Sequence, residues 1–145
     1  MELLKKQSAG FFITILSSIV MLVGIILYFI NCNTNYFSNL GVNMVVVVCG
    51  VVGTLGQIVY VVLNEKDKIS IATELLPVIN SVLLMFATVT FIGSRVYGFA
   101  SIITFENNAA NMADLTNAIT GMVVCLAAVI LAIISSFFNV KKVSA

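Results

Sequence analysis

Residues 7–64 carry no charged side chain, and neither do residues 75–94 or 115–140. Stretches of that length are foreign to a chain folded in water, where about a quarter of all residues are Asp, Glu, Lys or Arg. Here the charged fraction is 9%, the hydrophobic fraction is 61% and the mean hydropathy is +1.15. A chain of 145 residues has no water-excluded interior large enough to hold so much apolar side chain. The pattern excludes a soluble enzyme, a nucleic-acid-binding domain and a disordered tail, and it describes an integral membrane protein.

A membrane-spanning helix takes about 20 residues. Residues 7–64 are therefore too long for one span and suit two, with a polar turn between them. Asn31, Cys32, Asn33, Thr34 and Asn35, followed by Asn39, Gly41 and Asn43, supply that turn. The predicted spans are about 9–30, 43–63, 69–92 and 118–139. Asn64, Glu65, Lys66, Asp67 and Lys68 form a charged turn, and residues 93–117 form a longer extracytoplasmic connection. Within it, Tyr97 to Phe105 is apolar enough to lie on the membrane surface. Glu106, Asn107 and Asn108 then precede a helical lead into the fourth span.

Four spans put Lys5, Lys6, Lys66, Lys68, Lys141 and Lys142 on one side of the membrane and Arg95 alone on the other. The positive-inside rule assigns both termini to the cytoplasm. The expected fold is an all-α integral membrane protein, an antiparallel bundle of four transmembrane helices forming a single domain over residues 1–145. Its expected location is the cytoplasmic membrane of a bacterium. A cleavable signal peptide fits poorly, because the first apolar run exceeds the usual 7–15 residues and no A-x-A-like site follows it.

In lipid, close packing of small residues and interhelical hydrogen bonds hold helices together. Each span should then carry a small-residue seam. The first has Gly10, Ser17 and Gly24 at steps of seven, with Thr14 between. The second has Gly50, Gly53 and Gly56 at steps of three, within about a 120° arc, which predicts one flat surface for a neighbouring backbone. The fourth has Gly121, Cys125, Ala128, Ala132, Ser135 and Asn139, alternating steps of four and three. That seven-residue repeat predicts left-handed crossings.

The third span differs, because Glu74, Ser81, Thr88 and Arg95 recur at steps of seven and draw a polar stripe along it. Pro77 lies near the same face. Glu74 is the only acid inside a predicted span, about 8–9 Å from its inner end at 1.5 Å per residue. Intramembrane carboxylates are costly and point to function. Gln57 on the second span, Thr14 on the first and Ser135 or Ser136 on the fourth fall at similar depth. Thr14, Gln57, Glu74, Ser81 and Thr88 are therefore the candidate polar site, read either as packing bonds between helices or as a path for solute.

The chain has no His, and Cys32, Cys49 and Cys125 are scattered. No catalytic residue, metal site or cofactor is expected. A net charge of +1 gives no reason for a nucleic-acid partner. The expected function is non-enzymatic: an accessory subunit or self-associating assembly working through helix contacts. Its partners would be the bilayer and a second copy or another membrane protein. The alternative is an oligomeric small-solute or cation transporter using the polar stripe.

Overall fold

The computed structural model describes residues 8–65 and 71–140. The six lysines on which the orientation rests, and most of the turn at 64–68, lie outside the described residues. The described chain is helical throughout its regular structure. Four helices follow in order: α1, Ala9–Cys32; α2, Met44–Glu65; α3, Ile71–Thr104; and α4, Ala109–Ser135. Each is long and apolar enough to cross a membrane. A single 3₁₀ turn, Ser38–Leu40, interrupts the connection between α1 and α2. It closes at Gly41, whose φ of 62° is open to glycine and costly for a side chain with a Cβ.

Three helix ends differ from the expected ones by more than two residues, one of them the end of α4, at Ser135 and not 139. Residues 93–104, expected to lie in a connection, continue α3 without a break, and α4 begins nine residues before the expected 118, at Ala109. The cause is local. The segment from Val96 to Thr104 holds no proline, and Ile102 falls about three and two helical turns after Phe91 and Arg95, on the buried side. α3 ends at Thr104, and Asn108, whose side chain accepts the Asn111 backbone N–H at 2.9 Å, caps α4. At 1.5 Å per residue α3 is roughly 50 Å long, well beyond the ~30 Å hydrocarbon core.

Helix α1 packs on α2 and α4, and α3 packs on the same two neighbours. The small residues mark the close approaches. A Cβ on Gly10 would meet the backbone oxygens of Phe138 and Asn139 at 2.6 and 2.7 Å, and one on Gly24 would meet Cys125 Sγ at 2.6 Å. Ser17 donates to the Ala128 carbonyl at 2.8 Å. Ala128 and Ala132 are buried beside it, and Gly121 lies against Phe91 and Leu27. The glycines of α2 serve two neighbours instead of one flat surface. Gly50 faces Ile25 and Met21 of α1, whereas Gly53 and Gly56 face Leu84 and Asn80 of α3.

Candidate functional site

Two polar clusters lie inside this framework. The first joins α1, α2 and α4. Gln57, 3% exposed, donates through Nε2 to Ser17 Oγ at 3.2 Å, and the Ser17 hydroxyl in turn donates to the Ala128 carbonyl at 2.8 Å. The Oε1 of Gln57 accepts from Ser18 Oγ at 2.8 Å. The Ser18 hydroxyl also reaches the Thr14 carbonyl at 2.9 Å, so one proton is shared between two acceptors. Thr14 in turn donates to the Gly10 carbonyl at 2.8 Å. Every polar atom of Gln57 is thereby spent on a neighbour, which is how a buried amide avoids its desolvation cost.

Thr14 and Gln57 are thus brought together through Ser18, but Glu74 does not join them. It is exposed in the first turn of α3, where a carboxylate suits the positive end of the helix dipole. Ser81 and Thr88 are buried on α3 and bond backward along their own helix. Ser81 donates to the Pro77 carbonyl at 2.8 Å and Thr88 to the Leu84 carbonyl at 2.9 Å. Ser135 does the same with Ala132.

The second cluster is centred on Arg95, which falls within the expected 93–117 connection and not within a predicted span. It is 1% exposed. Its Nε donates to Asn31 Oδ1 at 2.9 Å, and its Nη2 lies 3.1 Å from Cys32 Sγ. Three aromatic rings surround the guanidinium: Phe37, Tyr28 and Phe91, with centroids 5.3, 5.7 and 6.0 Å from its central carbon. The Tyr28 and Phe91 rings meet edge to face at 4.8 Å. Such contacts each contribute up to about 2 kcal/mol when desolvated.

The cradle is built by the turn after α1. Tyr28 Oη accepts the Asn43 backbone N–H, and Asp114 on α4 accepts the Tyr36 backbone N–H at 2.9 Å. These anchors hold Phe37 over the guanidinium, with its ring against Gly98, where a Cβ would meet it at 2.6 Å. Among the described residues no carboxylate forms an ion pair with Arg95. The Nδ2 group of Asn31, also fully buried, has no hydrogen-bond partner.

The sequence signal for this cluster was the stripe itself, since Arg95 stands seven residues after Thr88. Asn31 was read only as part of a turn. Asn80, buried on α3 against Gly56, carried no periodic signal.

Two hollows open on the outside. An apolar groove of about 550 Å³ runs between α3 and α4, lined by residues including Val82, Met85, Phe86 and Ile133. A cleft of about 530 Å³, polar in part, lies beyond the Tyr36–Phe37 turn and is lined by residues including Tyr36, Ser94, Gly98, Ser101 and Glu106. Comparison with known proteins returns no match, whether to a family model, to a curated relative or to a solved structure.

Proposed function

We propose that this chain is a non-enzymatic membrane protein that works through helix contacts, as an accessory subunit or in an assembly with copies of itself. In this reading the helices form an antiparallel bundle with both termini on the cytoplasmic side. Contact pairs support the antiparallel order: Gly10 meets the 138–139 backbone, whereas Gly24 meets Cys125 and Gly121 meets Leu27. The charge bias of the six lysines supports the orientation.

The observation that carries the functional reading is the fate of the interior polar groups. Gln57, Ser17, Ser18, Thr14, Ser81 and Thr88 are tied to one another or to backbone carbonyls. Groups committed in this way act as glue between helices and offer little to a passing solute. A cation path along α3 would also start from an exposed Glu74 and end at a buried cation, Arg95. Much of the surface left for contact is apolar, and the groove between α3 and α4 is one concave part of it.

Cysteine cross-linking in native membranes tests this. With the three native cysteines replaced by Ala, Val82→Cys or Ile133→Cys should yield a disulfide-linked or bifunctionally cross-linked species larger than the monomer. Mild-detergent extracts should contain the same species. A monomer in both experiments, with no co-purifying protein, overturns the proposal.

A further inference from the structure

Arginine keeps its charge inside proteins and offers five N–H donors. Arg95 spends one on Asn31 Oδ1 and one on Cys32 Sγ, and sulfur is a weak acceptor. A buried charge needs a partner of opposite sign, or it costs several kcal/mol. The acids at this end of the molecule are otherwise engaged. Asp114 accepts from Tyr36 N–H, and Glu106 accepts from Ser101 Oγ at 2.9 Å. The bond from Arg95 also fixes the orientation of the Asn31 amide, because the atom facing Nε must be the oxygen. Its NH₂ is then a second buried donor without an acceptor.

We propose that Arg95 and Asn31 form a binding site for one small, halide-sized anion. Two observations converge on it: a guanidinium with no paired carboxylate, and, one hydrogen bond away, an amide donor with no acceptor. Both want negative charge. The size follows from the walls. Tyr28, Phe37, Phe91 and Cys32 are all 5% exposed or less and close round the guanidinium. A phosphate headgroup or an organic acid would have to displace them.

The Tyr36–Phe37 turn separates this site from the partly polar outer cleft. Phe37 rests on Gly98, and Gly98 lines the cleft. An ion from the aqueous side would enter by a swing of that ring.

The test is thermal unfolding of the purified full-length protein in detergent, followed by circular dichroism. Sodium gluconate is replaced stepwise by sodium chloride or bromide at constant ionic strength. A ligand at free concentration L that binds only the folded state stabilises it by RT ln(1 + L/Kd), so the melting temperature keeps climbing with the logarithm of ligand concentration above Kd. The wild type should melt a few degrees higher in halide than in gluconate, rising in that logarithmic way with halide concentration. Asn31→Asp supplies an internal carboxylate at the atom that already faces Nε. That variant should melt in gluconate at or above the wild-type value in chloride and should lose the halide dependence. Arg95→Gln should lose the dependence as well, and if it does not fold, the Asn31→Asp arm still decides. Superimposable wild-type curves in gluconate and halide overturn the proposal. So does a halide effect that survives unchanged in Asn31→Asp or Arg95→Gln.

Discussion

Arg95 and Asn31 come from different helices, yet the Nε of the first donates to the Oδ1 of the second at 2.9 Å in the protein interior. The bond ties the C-terminal end of α1 to the C-terminal third of α3, two helices that are not among the principal packing pairs. It makes the α1–α2 turn part of the core, because Phe37 and Tyr28 complete the same cluster.

The seam between α1 and the chain after α4 leaves no room at Gly10. Gly10→Ala would press a methyl group against two backbone oxygens at 2.6 and 2.7 Å, atoms that move only with the chain. A loss of about 1–3 kcal/mol is expected, by analogy with overpacked cores. Gly93→Ala is the contrast: nothing lies within 4 Å of the added Cβ, and the residue sits inside α3. There the gain in helix propensity should leave stability unchanged or raise it by up to about 1 kcal/mol. Equilibrium unfolding in mixed micelles measures both.

Removing the amide of Gln57 should cost little. In Gln57→Leu the Ser17 hydroxyl keeps the Ala128 carbonyl and the Ser18 hydroxyl keeps the Thr14 carbonyl. The expected loss is about 1 kcal/mol, the net worth of the interhelical bonds. Glu74→Gln, on an exposed position, should change stability by less than about 0.5 kcal/mol. The same unfolding experiment checks the order, and a larger loss at Glu74 than at Gln57 would contradict the geometry.

Gly98→Ala should loosen the turn over Arg95, because a Cβ there meets Phe37 at 2.6 Å. Cys32 is the reporter. It is 5% exposed and should react slowly with maleimide in a background carrying Cys49→Ala and Cys125→Ala. Displacing Phe37 should raise the labelling rate several-fold without changing helix content by circular dichroism.

Orientation is accessible to impermeant thiol reagents in intact cells, with the native cysteines replaced by Ala. Asn107→Cys, in the short α3–α4 connection, and Asn35→Cys, in the α1–α2 turn, should be labelled from outside. Ser8→Cys should be labelled only after permeabilisation. The opposite pattern would reverse the topology.

The existence of four spans was legible because charge cannot be placed cheaply in lipid, and the uncharged runs are long. The helix ends were less so. No proline lies between Val96 and Thr104, so the helix runs on through Gly98, and the single charge of Arg95, which reads as the edge of the membrane, is held inside the protein. The polar stripe was legible in part, with a physical reason for the part that failed. Seven residues turn an α-helix about 20° short of two full turns. Over the three steps from Arg95 back to Glu74 the drift reaches about 60°, so Ser81, Thr88 and Arg95 stay buried while Glu74 emerges. The Arg95 cluster was hidden for another reason: its acceptor, Asn31, lies in a run of Asn residues that reads locally as a turn.

The cluster also has an order in time. Tyr28, Asn31, Cys32 and Phe37 belong to the first helix and the turn after it, so the ribosome has made them well before Arg95. Only Phe91 arrives together with the arginine. When the third helix leaves the translocon, its cation therefore meets a receptor already synthesised and does not wait in lipid for a later segment. Exchanging the order of the two helical hairpins along the gene would keep every contact of the finished fold within reach. It would also strip the arginine of that receptor during insertion, so membrane integration would suffer more than the stability of whatever protein is made.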